Sequence, residues 1–111
     1  MSCLSKSHRI NTHKEFSQIY RSNKKWHTHS FVVFFKESDN LNVAFVTSKK
    51  VGNAVYRNRA RRVLRALVLE KEDQLKNGKY IIVAKNAIFD RTHKILQNDF
   101  KYAIKKLDLF K

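Results

Sequence analysis

Residues 48–65 of the 111-residue chain read SKKVGNAVYRNRARRVLR, and no other stretch constrains the fold and the function as strongly. The stretch contains two Lys and five Arg, and no Asp or Glu occurs between Asp39 and Glu70. Asn53 is of a residue type that often caps the start of a helix. The sequence therefore predicts a long basic helix that runs from Asn53 to about residue 72.

At 100° per residue, this predicted helix sorts its side chains into two stripes. Arg57, Arg61 and Arg65 follow one another at four-residue steps, and Asn58 and Arg62 lie beside them. The apolar stripe on the opposite side is expected to consist of Tyr56, Ala60, Val63, Leu64 and Leu67. A solvated helix face usually mixes both signs of charge, whereas this one carries positive charge alone. The pattern therefore favours contact with a nucleic acid.

The residues before the helix add a second basic group. Gly52 permits a tight turn or a positive φ, and Asn53 offers a cap. Free backbone N–H groups at the helix start would add a phosphate site next to Lys49 and Lys50.

The charge of the whole chain also indicates an anionic partner. There are 24 Lys and Arg against 9 Asp and Glu, which gives a formal net charge of +15. A nucleic acid is the usual partner of so basic a small protein, because neutralised phosphates release counterions. An anionic membrane surface fits less well, because the basic residues lie among core-like apolar runs. The length allows one domain with one core.

Cysteine content and hydropathy predict a cytoplasmic protein. Cys3 is the single cysteine, so an internal disulfide is excluded and a reducing compartment is indicated. No stretch approaches the ~18 consecutive apolar residues of a membrane-spanning helix. The N-terminus lacks the apolar segment and cleavage site of a secretion signal.

Short apolar runs on both sides of the basic helix predict strands. Residues 31–35, 42–48 and 80–84 are rich in β-forming side chains. The turn residues 38–40 lead us to expect that the second strand pairs back on the first. Asn77-Gly78 marks a break before the third strand.

Two further helices are predicted near the ends of the chain. Thr12 and Glu15 have the spacing of a capping box, and Asp90 or Thr92 is expected to cap the last helix. The expected apolar faces consist of Phe16, Ile19 and Tyr20 in the first helix, and of Leu96, Phe100, Ala103, Ile104 and Leu107 in the last. The predicted order is α-β-β-α-β-α, which indicates an α+β fold with helices packed on a small sheet.

Taken together, these residues resemble the signature of the bacterial ribonuclease P protein family. The positions that match the family pattern are Ser48 to Gly52, Ala54-Val55, Arg57-Asn58-Arg59, Arg61-Arg62 and Arg65. Glu15-Phe16, Tyr20 and the run from Phe31 to Phe35 are also similar to the family. The resemblance covers essentially the whole chain, so residues 1–111 are expected to form a single ribonuclease P protein domain.

The resemblance implies a fold and a function. The fold is expected to be a single-domain α/β sandwich of the α+β class, with a small central sheet, helices packed on it and a left-handed βαβ crossover, as in the second domain of ribosomal protein S5. The expected function is that of the protein subunit of ribonuclease P, in which a catalytic RNA removes the 5′ leader of precursor tRNA. Catalysis is expected from the RNA, which is also expected to hold most of the Mg²⁺. The implied partners are ribonuclease P RNA and the 5′ leader, with neither membrane nor DNA.

The resemblance also implies two sets of binding residues and no catalytic residue in the protein. The catalytic RNA is expected to contact Lys49, Lys50, Asn53, Arg57, Asn58, Arg59, Arg61, Arg62 and Arg65. The 5′ leader is expected to lie in a cleft between the first helix and the sheet, lined by Phe16, Tyr20, Lys24 and Phe34. Phe31 and Phe35 are alternatives to Phe34, because the sequence does not fix the phase of the strand. From the residues alone, the spacing of Phe16 and Tyr20 is more typical of a core face than of a binding cleft.

A metal centre in the protein is not predicted. The acids are scattered, and the closest group, in residues 70–73, is typical of a solvated helix end. His27 and His29, taken with Cys3, match no zinc-binding spacing.

Three rival functions remain open at this point. A ribosomal or assembly protein would share the basic charge and small fold, but not the ordered arginine segment. A helix-turn-helix DNA-binding protein would need a short helix just before the basic one, where the sequence predicts a strand. An independent protein nuclease would need a catalytic cluster that the sequence does not offer.

Overall fold

Three helices and four strands make up the part of the chain that this computed structural model describes, residues 13–21 and 24–111. The helices are α1 (His13–Tyr20), α2 (Ala54–Lys71) and α3 (His93–Lys106). The strands are β1 (Lys24–His27), β2 (Phe31–Glu37), β3 (Leu41–Val46) and β4 (Gly78–Ala84). Short 3₁₀ turns cover Lys49–Val51, Glu72–Gln74 and Asn86–Asp90. The predicted capping box at Thr12 and Glu15 lies outside the described residues and side chains.

The strands form one mixed sheet in the order β1-β2-β4-β3. β1 with β2 and β2 with β4 are antiparallel, whereas β3 with β4 is parallel. The prediction that β3 pairs back on β2 is therefore wrong. β4 lies between them, because its nearly continuous buried run from Tyr80 to Ala84 suits a strand with neighbours on both sides.

Two features of this sheet go beyond the sequence prediction. β1 was not predicted, because its sequence, KKWH, lacks the alternating apolar pattern that identifies a strand. Helix α2 connects the adjacent parallel strands β3 and β4 and so forms a βαβ unit. The left hand of this crossover stays a prediction.

Apolar side chains pack on both faces of the sheet. The larger cluster joins one face to α2 and α3, and it includes Phe31, Val33 and Phe35 of β2. The smaller cluster joins the other face to α1 through Ile19 and Ile81, with Phe34 packed against them. Alternation along β2 thus directs Phe34 to the α1 face and its two aromatic neighbours to the main core.

The start of α2 is shaped by the residues that precede it. Ser48 accepts a hydrogen bond from the backbone N–H of Lys50, and Gly52 adopts a φ of 133°. Asn53 Oδ1 then accepts hydrogen bonds from the backbone N–H groups of Val55 and Tyr56, at 3.1 and 3.3 Å. The predicted turn and N-cap are confirmed, and they fix where the basic helix begins.

The buried stripe of α2 differs in part from the predicted one. It consists of Ala60, Leu64, Leu67 and Val68. Tyr56, which was predicted to pack in this stripe, is 49% exposed, because it lies in the first turn, beyond the edge of the core. Val63 is half-buried at the border of the stripe.

Helix α3 closes the same face of the sheet. The Thr92 hydroxyl accepts a hydrogen bond from the backbone N–H of Ile95, so Thr92 and not Asp90 is the N-cap. The predicted apolar face is confirmed, with Leu96, Phe100, Ala103 and Ile104 buried and Leu107 half-buried.

We predict that Asn53→Ala lowers the free energy of unfolding by about 1 kcal/mol, since two backbone N–H groups of α2 lose their acceptor. Asn53→Asp keeps the acceptor oxygen and is the matched control. Urea unfolding followed by circular dichroism measures both variants. Equal stability of Asn53→Ala and the unchanged protein would contradict the capping role.

Candidate nucleic-acid interface

The exposed side of α2 presents a row of cations. Arg59, Arg62 and Arg65 are exposed, and we refer to these three residues as the arginine face. Lys49, Lys50, Asn53 and Asn58 are also exposed. The first turn of α2 contains no acidic residue, so nothing in that turn offsets the positive field.

Arg57 and Arg61 occupy a different environment from the arginine face. Both are half-buried, whereas the predicted pattern placed them on the side opposite the apolar stripe. Seven residues turn a helix by about 700°, so Arg57 lies only about 20° from the direction of the buried Leu64. The expectation that the stripes are opposite is therefore wrong at this border.

Hydrogen bonds hold Arg61 against the edge of the sheet. Its Nη1 donates to Thr47 Oγ1 at 3.0 Å, and its Nη2 donates to Asn58 Oδ1. The Nε of Arg57 is buried and has no hydrogen-bond partner among the described residues. Arg61 thus links the helix to the residue that follows β3, while Arg57 is half-buried with its Nε unpartnered within the described part of the chain.

The turn before α2 directs two lysines outward. Val51 is 8% exposed and anchors the 3₁₀ turn in the main core. Lys49 and Lys50, which precede that anchor, stay exposed next to the N-terminus of α2. The sequence prediction that these lysines lie beside the helix start is confirmed.

Three aromatic side chains meet on the α1 face of the sheet. The rings of Phe16 and Tyr20 have centroids 6.3 Å apart, and Tyr20 meets Phe34 edge-on at 4.9 Å. Phe31 and Phe35, the alternatives to Phe34, are buried in the main core. We call Phe16, Tyr20 and Phe34 the aromatic cluster.

The aromatic cluster is partly open to solvent. Tyr20 is 39% exposed, while Phe16 and Phe34 are half-buried. Ala44 and Val46 of the edge strand β3 are half-buried beside the cluster. Partial burial raises the pKa of the Tyr20 phenol above its usual value.

Lys24 lies apart from the aromatic cluster. Its ammonium donates to the carbonyl oxygen of Leu107 at 3.2 Å and lies 5.5 Å from the centroid of the Phe35 ring. Both partners belong to the α2/α3 side of the sheet. The next residue, Lys25, pairs with Phe34 and so points to the α1 face. The sequence predicted Lys24 in the cleft beside Phe16, Tyr20 and Phe34, and the structure places Lys25 on that face instead, because the register of β1 on β2 pairs Lys24 with Phe35.

His27 and His29 lie around a small surface pocket together with Trp26 and Tyr102. Within residues 13–21 and 24–111, no three His, Cys, Asp or Glu side chains come together in a way that could hold a metal ion. Among residues 13–21 and 24–111, no helix combines the length and the apolar character that a membrane span requires.

A second aromatic pair was missed by the sequence reasoning. Tyr56 and Phe89 have ring centroids 5.9 Å apart, and Arg59 and Arg91 lie in the lining of the pocket beside them. Phe89 belongs to the 3₁₀ turn Asn86–Asp90, which carries no periodic pattern. Only the contact between distant segments identifies this pair.

The fold and these surfaces define a class: a small basic α+β protein with an arginine-rich helix on one side of its sheet and exposed aromatics on the other. A family model described as ribonuclease P matches residues 4–108. The chain is 42% identical over 92 residues to the ribonuclease P protein component of a Nitratiruptor species, covering 83% of this chain and 78% of that protein. It is 31% identical over 107 residues to that of a Bacillus cereus strain, covering 93% of each. The chain therefore belongs to the bacterial ribonuclease P protein family.

Solved structures show the same fold. An RNase P protein from Staphylococcus aureus superimposes with a TM-score of 0.82 at 26% identity, covering 94% of this chain and 98% of that one. The RNase P protein of Thermotoga maritima gives a TM-score of 0.76 at 20% identity, covering 88% of this chain and 96% of that one. The predicted family and α+β fold class are both confirmed.

Proposed function

We propose that this chain is the protein subunit of a ribonuclease P ribonucleoprotein, and that it binds both the catalytic RNA and the 5′ leader of precursor tRNA. The observation that carries the proposal is the exposed arginine face on a helix whose first turn contains no acid. In this assignment the protein assists endonucleolytic removal of the leader, which gives the mature 5′ end of the tRNA.

The arginine face is the docking surface for the catalytic RNA. Arg59, Arg62 and Arg65 are directed away from the core, and each guanidinium can form two parallel hydrogen bonds to a phosphate. Lys49 and Lys50 extend the positive surface beyond the start of α2. Asn53, Arg57, Asn58 and Arg61 mainly shape and orient this surface, because their side chains cap the helix or pack along its border.

The aromatic cluster is the surface for the 5′ leader. Leaders differ in sequence, and stacking on an aromatic ring tolerates any base. Tyr20 offers the most exposed ring of the cluster, and Phe34 supports it edge-on. Lys25 on the same face of the sheet provides a cation for the leader backbone, in the place that the sequence prediction had given to Lys24.

The chemistry of cleavage belongs to the RNA subunit in this proposal. Two-metal phosphodiester cleavage needs several oxygen ligands that converge on the metal ions. The described part of this chain brings no such group together, which supports Mg²⁺ held mainly by the RNA. We also propose a cytoplasmic location with no membrane or DNA partner, supported by the single cysteine and the RNA-directed surfaces.

We predict that Arg59→Ala/Arg62→Ala weakens binding to a bacterial ribonuclease P RNA and flattens its salt dependence. Each phosphate contact contributes ~0.7–0.9 to the slope of log affinity against log salt, so two lost contacts should lower the slope by about 1.5. Filter binding across a series of KCl concentrations measures both quantities.

The matched control for this double variant is Lys101→Ala/Lys105→Ala. It removes the same charge from exposed positions of α3, outside the proposed interface. The control should keep the slope of the unchanged protein. An equal loss of slope in both variants would mean that the net charge, and not the arginine face, binds the RNA.

We predict that Tyr20→Ala weakens holoenzyme binding of precursor tRNA by about tenfold, the usual cost of one lost base stack. Tyr20→Phe keeps the ring and is the matched control. Mature tRNA, which lacks the leader, should bind both variants and the unchanged protein equally. Unchanged precursor affinity in a folded Tyr20→Ala protein would contradict the leader assignment.

A further inference from the structure

A pocket of about 310 Å³ lies between α2, the 3₁₀ turn Asn86–Asp90 and the start of α3. Its lining consists of Tyr56, Arg59, Val63, Ile88, Phe89, Arg91, His93 and Leu96. Its volume is at the lower end of the ~300–1,000 Å³ range of small-ligand sites. The pocket is therefore large enough for one compact group.

Two aromatic rings on the pocket are open to solvent. Tyr56 is 49% exposed and Phe89 is 38% exposed, although the two rings contact each other. Ile88 is buried beneath them, so the turn that carries Phe89 is anchored in the core. Large exposed rings cost hydration free energy, and a pair of them at one pocket marks a binding surface.

Gly52 fixes the position of the Tyr56 ring. A Cβ built at Gly52 would lie 3.0 Å from Tyr56 Cβ and 3.1 Å from its ring atom Cδ2. The ring therefore packs closely on the backbone just before α2.

The charge of the lining is positive. None of the eight lining residues is acidic, and two of them, Arg59 and Arg91, are exposed arginines. Two acids lie nearby. Asp90, between Phe89 and Arg91 in the chain, is exposed and is not part of the lining. Glu70 is hydrogen-bonded: His93 Nε2 is 3.0 Å from its Oε1, and Gln97 donates to its Oε2 at 2.7 Å. These hydrogen bonds, that from His93 first, hold the pKa of the Glu70 carboxyl below its usual value.

We propose that the Tyr56–Phe89 pocket binds a single unpaired nucleotide of the catalytic RNA, with the base stacked on the aromatic pair and the flanking phosphates on Arg59 and Arg91. The inference rests on the proposed function, because Arg59 belongs to the arginine face and makes the two surfaces continuous. An unstacked base is commonly received by aromatic rings and arginine side chains, whereas the bases of paired RNA are stacked on one another and present only their edges in the minor groove.

The test compares Tyr56→Leu/Phe89→Leu with the unchanged full-length protein in binding to a bacterial ribonuclease P RNA. Leucine keeps the apolar bulk and removes the π-face. The expected result is about tenfold weaker binding with an unchanged salt slope, because a stack is lost but no phosphate contact. One unpaired nucleotide should also lose its protection from 2′-hydroxyl acylation.

The matched control is Tyr102→Leu, which removes an exposed ring from α3. It should bind the RNA as the unchanged protein does. If the double variant keeps both the RNA affinity and the protection of that nucleotide from acylation, the pocket assignment is overturned. The pocket would then bind a protein or no ligand at all. An equal loss with Tyr102→Leu, or a flattened salt slope in the double variant, would overturn it as well.

A second measurement does not depend on how well the leucine variants fold. Replacing Phe89 with the photoreactive p-benzoylphenylalanine keeps an aromatic group at the pocket. Irradiation should cross-link it to one unpaired nucleotide of the RNA, and cross-links to paired segments alone, or none, would overturn the assignment. If Arg59→Ala/Arg62→Ala still flattens the salt slope while the pocket tests fail, the pocket is wrong and the docking role of the arginine face stands.

Discussion

The packing of α2 on the sheet is the constraint on which the rest of the structure depends. Ala60, Leu64, Leu67 and Val68 bury one stripe of the helix against the main core. Because that stripe is buried, the arginine face on the other side of the helix is directed toward solvent. The same helix connects β3 to β4, so its length and position also set the parallel pairing at the edge of the sheet. Fold and binding surface are therefore two consequences of one amphipathic helix.

The sheet separates two kinds of recognition. The arginine face lies on the side of α2 and α3, where charge and fixed guanidinium geometry suit a structured RNA backbone. The aromatic cluster lies on the α1 side, where exposed rings suit a single strand of varied sequence. In the proposed function, these separate surfaces let a small protein contact the catalytic RNA and its substrate together. The edge strand β3 contributes Ala44 and Val46 to the α1 side, and Thr47, which follows it, is bonded to Arg61 of α2.

Local patterns predicted the basic helix, its Asn53 cap, the apolar face of α3 and the family, because each depends on residues close together in sequence. Pairing over long distances was not predictable. Nothing in residues 31–48 shows that β4 lies between β2 and β3, or that Lys25 and not Lys24 shares a face with Phe34. The Tyr56–Phe89 contact likewise joins segments that no periodicity connects. A seven-residue separation from Leu64 places Arg57 near the core, which the simple division into two stripes overlooked.

The central claim is that this protein enables a catalytic RNA to process precursor tRNA. The most direct measurement is cleavage of a labelled precursor tRNA by a bacterial ribonuclease P RNA at low Mg²⁺, with and without the protein. The account predicts accurate 5′ cleavage when the RNA and the protein are both present, because the charge of the protein lowers the Mg²⁺ concentration that the RNA needs. It predicts no cleavage by the protein alone. If the protein binds the RNA but never changes cleavage, or cleaves without the RNA, the account is contradicted.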